Sequence, residues 1–377
     1  MPAPAASEIH GTIAPGFEPV RDAFAANFSA GLEVGASFAA TVDGKPVVDI
    51  WAGSRNSAGS APWEQDTIAC VFSTTKAAVA LACAMLVDRG LLEYEQPVAK
   101  YWPEFAQNGK EKITVAQLLS HQAGLPGVTN RPVKDWYDWT AVTEALAAEK
   151  PWWEPGTANG YHAISFGHLN GEVIRRVSGK SFGTFLREEI ADPLGADFQC
   201  GLPEKDEPRI AEMVTGSVLE GLPDDAFMRN VLANPPFDVP MVHDRAYRTA
   251  EIPAANGFAN ARSVARVMSA LACRGTVDGV RLLSEESINK AITEQCYRPD
   301  LTMGGPMRWA CGFMVRSETM PIGPNERTFG HGGAGGSLGI ADMDAKVSWA
   351  YVMNRMEATT VGDVRGGSLG MALYGCL

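Results

Sequence analysis

A lysine inside an apolar helix is costly unless it is paired, neutralised or put to chemical use. Lys76 is such a residue: positions 74–89, TTKAAVALACAMLVDR, read as a helix that is apolar nearly all round and is closed by Gly90. Burial and the positive end of the helix dipole both disfavour a charged amine there and lower its pKa. Ser73 lies three residues earlier, so the two side chains share one helix face. A neutral amine beside a hydroxyl is an activated serine nucleophile, and the helix N-terminus offers the Ser73 backbone N–H to a developing oxyanion. A plainer arrangement has the same spacing: Ser73 caps the helix and Lys76 snorkels. S-x-x-K alone does not choose between the two. Ser287-Ile288-Asn289-Lys290 repeats it on a polar helix, where a surface position is the better reading.

Two G-x-S-x-G runs compete for the nucleophile, Gly335-Gly336-Ser337-Leu338-Gly339 and Gly366-Gly367-Ser368-Leu369-Gly370. A nucleophile elbow sits between a strand and a helix, and its acid and histidine follow it in the chain. His331 is the last histidine, so neither Ser337 nor Ser368 has one to follow, and both runs read as Gly-rich turns. His331-Gly332-Gly333-Ala334 has the composition of a lipase oxyanion loop, but it directly precedes Ser337, whereas that loop belongs on an earlier strand. His162 and His168 are six apart, no H-x-x-x-H or P-loop occurs, and no G-x-G-x-x-G stands between a strand and a helix. His121 reads as a packed helix-end residue. Tyr161, from its own surroundings, reads as a buried aromatic whose hydroxyl is tied to backbone. Trp136, Tyr137, Trp139, Trp152 and Trp153 read as core packing ahead of an acyl-pocket wall.

Residues 17–31 space Phe17, Val20, Phe24 and Phe28 helically, and two β-rich runs then flank Asp43-Gly44, a hairpin signal. Residues 67–72 are a short buried strand or extended lead-in to the Lys76 helix. From about 92 to 250 the pattern is mostly helical, with a short helix at 114–121 and a proline-rich excursion over 201–257. Residues 260–273 and 284–296 read as helices with Asn and Ser caps. Strand-like pieces follow: WACGFMV, ERTFGHGG, SLGIADM and VSWAYVMN, with Asp342-Met343-Asp344-Ala345 as a hairpin connection and GGSLGMALYG as a closing helix. Strands at both ends of the chain and helices between them predict an α+β fold. Residues 1–91 and 251–377 form one discontinuous sheet domain in this reading, 92–250 form an inserted helical domain, and the site lies in the cleft between them.

With 377 residues the chain has enough core to need no staple. Its formal charge of −12 repels phosphate backbones, which argues against a nucleic-acid partner. The 46% hydrophobic and 20% charged content excludes wholesale disorder. Seven scattered cysteines with no C-x-x-C pair fit a reducing compartment. The first twenty residues lack the basic and apolar regions of a secretory signal, and no apolar run of about 18 residues occurs. The expectation is a cytoplasmic protein without a membrane span.

Several blocks occur in a telling order: TIACVFSTTK, LLSHQAGL, WEPGTANGYHAISFGHLNGEVIRRVSGKSFGTFLREEIADPLG and GHGGAGGSLG. Over roughly residues 20–375 the chain resembles the serine β-lactamase-related hydrolases, the fold shared by class C β-lactamases, DD-peptidases and family VIII carboxylesterases. The resemblance implies a β-lactamase-like antiparallel sheet flanked by helices. It implies Ser73 as nucleophile, Lys76 as its partner, Tyr161 as the tyrosine of the Y-x-N block, and an oxyanion hole from the N–H groups of Ser73 and Ala334. His331, Gly332 and Gly333 fall on the K-T-G block and, with Ala163, would face the substrate. No cofactor or metal is implied.

Two departures matter. Ala163 replaces the Y-x-N asparagine and His331 the K-T-G lysine, groups that in β-lactamases engage the antibiotic's amide and carboxylate. An alanine has no donor, and a histidine near pH 7 is mostly neutral. The pattern is similar to that of the family VIII esterases and implies a carboxylesterase acting on short-chain acyl esters through an acyl-enzyme. The rivals are an amide or β-lactam hydrolase or an acyltransferase on the same scaffold, and a catalytically inactive binding homologue. The sequence leaves the oligomeric state open, a homo-oligomer included.

Overall fold

The computed structural model describes residues 8–214 and 226–377; part of the 201–257 excursion therefore lies outside the described residues. The chain opens with an edge strand, β1 (His10–Ile13), which the sequence reading did not foresee. Next come α1 (Glu18–Ser29), β2 (Gly35–Val42) and β3 (Lys45–Gly53). Asp43 and Gly44 both take positive φ between β2 and β3, the conformation of a type I′ hairpin turn. A two-residue strand, β4 (Ala69–Cys70), leads into α2 (Thr75–Asp88). Twelve of the fourteen α2 residues are buried, as a helix apolar on every side requires.

The middle of the chain carries α3 (Val115–Leu119), α4 (Trp139–Ala148), α5 (Ser165–Ser178), a helical run over 182–194, and β5 (Phe198–Cys200). Thr114 and Gln117 close a capping box on α3, and Gly179 ends α5 in the left-handed region. Strand β6 (Gly257–Ala259) pairs with both β4 and β5 in a small sheet. Then come α6 (Ala261–Ala272), capped by Asn260, and α7 (Glu285–Ile292), capped by Ser284. Helix α7 stops at Ile292 rather than near 296, because Cys296 already pairs with Trp309 in the sheet.

The remaining strands are β7 (Cys296–Pro299), β8 (Pro306–Trp309), β9 (Met314–Val315), β10 (Thr328–Gly332), β11 (Leu338–Asp342) and β12 (Val347–Met353). The chain closes on α8 (Val364–Tyr374). Together they complete a nine-stranded antiparallel sheet in the order β1-β3-β2-β12-β11-β10-β9-β8-β7. First and last strands meet where β12 pairs with β2, Ala350 opposite Ala39. Alternation along β12 assigns the two faces. Ser348 donates to the Ala265 carbonyl of α6, while Tyr351 points the other way to Glu33 and Arg365 of α8. The sheet thus lies between α1 and α8 on one side and α2 and α6 on the other. The fold is the α+β arrangement expected, an antiparallel sheet flanked by helices.

Candidate active site

The segment after β4 is held on both sides. Val71 N–H donates to Gly257 O at 2.9 Å, and Phe72 forms a parallel bridge with Asn256. Phe72 has a positive φ of 43°, a conformation costly for a bulky residue. The strained turn sets Ser73 at the mouth of α2, where the next N–H groups are already spent: Thr74 N–H on Val71 O, Thr75 N–H on Phe72 O. The Ser73 N–H has no acceptor among the described residues.

Lys76 is fully buried. Its Nζ lies 3.0 Å from Ser73 Oγ, 2.8 Å from Ala163 O and 2.9 Å from Ala254 O. Burial holds the amine well below the ordinary lysine value. A neutral amine has two N–H bonds and one lone pair. In that form the two carbonyls can take the N–H bonds and the lone pair can face Ser73 Oγ.

Tyr161 sits over this pair, its ring centroid 4.7 Å from Lys76 Nζ. Its hydroxyl is buried and completes no hydrogen bond, although it lies close enough to Ser73 for that group to counter part of the burial effect. Burial is the larger influence and pushes the phenol above its usual range. Backbone binding of Tyr161 comes from Asp300, a residue the sequence reading missed. This buried carboxylate accepts from Tyr161 N at 2.9 Å, Asn159 Nδ2 at 2.7 Å, Thr302 N at 2.9 Å, Met303 N at 3.0 Å and Trp309 Nε1 at 3.3 Å. No local signal marks it, since it stands 139 residues from Tyr161.

Rings pack around the tyrosine. Trp309 stacks on it at 5.6 Å with 5° between planes, and His331 lies 6.0 Å away. His331 is fully buried; its Nδ1 meets Gly332 O at 2.6 Å, which puts the proton there and leaves Nε2 a bare acceptor without a partner. Burial first, and repulsion from Lys76 second, lower its pKa to about 3, so the ring is neutral. His121 is more than a helix-end filler. It has φ 62°, packs edge-on against Tyr161 and Trp309, and accepts the His162 N–H at Nδ1. His162 spans Gly160 O and the Leu125 N–H, and burial lowers it to about 3.

Strand β10 brings the remaining expected residues in. A Cβ on Gly333 would overlap Val71 O and Ser337 Oγ, so only glycine lets the strand end approach the Ser73 segment this closely. Ala334 follows, partly exposed, and its N–H has no acceptor among the described residues. Gly332 is buried against Val361. Ala163 contributes its carbonyl to Lys76. Ser337 is buried and donates to Val71 O at 2.8 Å, and Ser368 donates to Arg365 O within α8. Trp136 is buried with its N–H on Pro235 O, whereas Trp152 and Trp153 are half-buried around Phe227. Among the described residues no group of three or more His, Cys, Asp or Glu could hold a metal ion, and no helix is long and apolar enough to cross a membrane.

A family model described as Beta-lactamase matches residues 24–368. The chain is 36% identical to Esterase/beta-lactamase LipL of Mycobacterium tuberculosis, over 97% of this chain and 88% of that protein. The crystal structure of a family VIII carboxylesterase superposes with a TM-score of 0.93 at 46% identity, covering 98% of this chain and all of that one. A penicillin-binding protein homologue from Caulobacter crescentus gives 0.93 at 40% identity with the same coverage. The chain belongs to the beta-lactamase family of serine hydrolases.

Proposed function

We propose that this protein is a serine carboxylesterase that hydrolyses short-chain acyl esters through an acyl-enzyme. The observation that carries the reading is the Lys76 amine, buried, with both N–H bonds on backbone carbonyls and 3.0 Å from Ser73 Oγ. In the proposed cycle Ser73 Oγ bonds to the ester carbonyl carbon while its proton passes to Lys76 Nζ. The tetrahedral oxyanion is held by the N–H groups of Ser73 and Ala334. Collapse breaks the bond to the alkoxide, which takes a proton relayed from Lys76 through Tyr161. Water then repeats the attack on the acyl-enzyme, and Ser73 leaves with its proton restored.

Preference for esters is supported by the absence of fixed charge at the substrate side. His331, on the K-T-G position, is neutral, and Ala163 offers only a methyl group and a carbonyl already used by Lys76. Tyr161, Trp309 and His331 stack on one another and Tyr161 lies over Lys76, an enclosed setting that favours a small acyl group. The resemblance to a family VIII carboxylesterase agrees with this choice. Lactam hydrolysis is the second reading, favoured by the name of the Mycobacterium relative. We infer further that residues 92–250 form the helical half and 1–91 with 251–377 the sheet half, with the cleft between them and the working compartment cytoplasmic. Steady-state rates on acyl esters of graded length, a cephalosporin and a D-amino-acid amide separate the readings. An organophosphate adduct on Ser73, located by peptide mass, tests the nucleophile and excludes an inactive homologue.

A further inference from the structure

Behind the turn that carries Ala334 lies a buried charge that the reaction as written does not use. Arg365, on the first turn of α8, is 1% exposed. Its guanidinium joins three separate stretches of chain. Nη2 donates to Gly335 O at 2.6 Å and to Asp363 Oδ2 at 2.6 Å, and Nε also reaches Asp363 Oδ2, at 3.0 Å. Nη1 donates to Arg355 O at 2.9 Å, Leu32 O at 3.3 Å and Glu33 Oε2 at 3.4 Å. Glu33 is itself bonded by the Tyr351 hydroxyl.

The bond to Gly335 O is the informative one. The peptide joining Gly335 to Gly336 has its carbonyl on Arg365, and its N–H donates to Gly333 O at 3.1 Å. The peptide joining Gly333 to Ala334 thus has its carbonyl held, and its N–H is the Ala334 N–H that has no acceptor. The intervening Gly335 N–H is tied to Thr359 O at 2.9 Å. A trans peptide sets its C=O and N–H in opposite directions, so fixing one aims the other. A Cβ on Gly336, φ 125°, would come within 2.5 Å of Asp363 Oδ2 and 2.6 Å of Arg365 Nη2. The ion pair is therefore pressed against the turn and leaves it no room to rotate.

We propose that Arg365 is a positioning residue for the oxyanion hole: through the hydrogen-bonded peptides 335–336 and 333–334 its cation both aims and polarises the Ala334 N–H. Chains of hydrogen bonds polarise one another, and a charge at one end strengthens the donor at the other. The proposal rests on Ala334 N–H as an oxyanion donor, part of the reading above.

The test uses the full-length enzyme with Arg365→Met, Arg365→Lys and Asp363→Asn, and Glu33→Gln as a control that touches the guanidinium away from the turn. Active sites are titrated with an organophosphate, so that kcat refers to folded, reactive enzyme. Arg365→Met is expected to lower kcat about 10- to 100-fold with KM within twofold, a part of the 10²–10³ lost when an oxyanion donor is removed outright. Arg365→Lys keeps a cation and falls between; Asp363→Asn, which only loosens the guanidinium, gives a smaller loss of the same kind. An alkyl boronic acid, whose adduct with Ser73 is tetrahedral, should weaken by the same factor as kcat/KM across the series, while Glu33→Gln leaves both unchanged. If the variants lose thermal stability but keep kcat per titrated site and boronate affinity, Arg365 only holds α8 in place and the proposal is overturned. Should Arg365→Met not fold, the Lys and Asn variants decide by the same two measurements. Failure of the wild type to label at Ser73 would instead overturn the nucleophile assignment, and is recognisable before any Arg365 variant is made.

Discussion

Replacing Lys76 with Arg, Met and Ala separates a base from a mere cation. The structure gives Nζ three neighbours within 3.0 Å, two carbonyls and one hydroxyl, and no exposure to water. Arginine keeps a charge that cannot be lost and has no lone pair for the Ser73 proton. It should therefore be as damaging as alanine. General-base catalysis is worth about 10²–10⁴ in rate, or about 3–5 kcal/mol of barrier, and each variant should lose kcat on that scale. Stability sorts them differently. Alanine leaves the Ala163 and Ala254 carbonyls without a donor, at about 1–3 kcal/mol each, and opens a cavity that methionine would fill. The pH dependence has a defined sign. Activity needs the neutral amine, so it falls as pH drops through an apparent pKa well under the ordinary lysine value. That apparent value belongs to the coupled Ser73, Lys76 and Tyr161 group. For stability, the folded pKa lies below the unfolded one of about 10.4. Between those two values the unfolded chain binds the extra proton, and the Lys76 contribution to stability rises with pH. Denaturant midpoints at pH 7 and pH 9 should show wild type gaining on Lys76→Met. Stopped-assay kcat values and these midpoints together check the reasoning. An arginine variant that keeps most of the wild-type rate would refute it, leaving Lys76 as a fixed positive charge.

Ser73→Ala should abolish ester hydrolysis and organophosphate labelling, whereas Ser337→Ala should retain the label on Ser73. The latter loses hydrogen bonds to Val71 O and Thr74 Oγ1, so calorimetry should find it about 1–3 kcal/mol less stable. Asp300→Ala strands five N–H donors and frees the Tyr161 backbone; at about 1 kcal/mol per bond it should cost about 5 kcal/mol, seen in urea midpoints, and lower kcat more than it raises KM. Turnover of a cephalosporin should be poor beside that of an ester of similar size, since His331 is neutral and Ala163 has no side-chain amide; comparable kcat/KM values would show that these two side chains do not govern the choice.

What could be read from the sequence is what the chain decides within a few residues. Asn260, Ser284 and Thr114 mark helix starts because their side chains bond N–H groups two or three positions on, and all three do so. Asp43-Gly44 marks a hairpin because the turn needs positive φ at both positions. The pairing of Ser73 with Lys76 follows from helix geometry, and the amine's burial from the apolar sequence around it. Other features depend on where distant segments cross, and no local pattern encodes them. His10–Ile13 becomes an edge strand only because β3 is there to pair with it. Asp300 reaches Tyr161 across 139 residues, and His331 is neutral because Tyr161, Trp309 and Lys76 enclose it. Ser337, set in a run that resembles a nucleophile motif, becomes a buried tie to Val71 because β10 and β11 bring it there. Arg365 meets Gly335 for the same reason: a charge joins the turn that carries Ala334 only once the sheet has laid α8 against it. Propensity and capping act over one or two turns of chain, whereas burial, and with it the charge state of every buried group at the site, exists only after the sheet has closed.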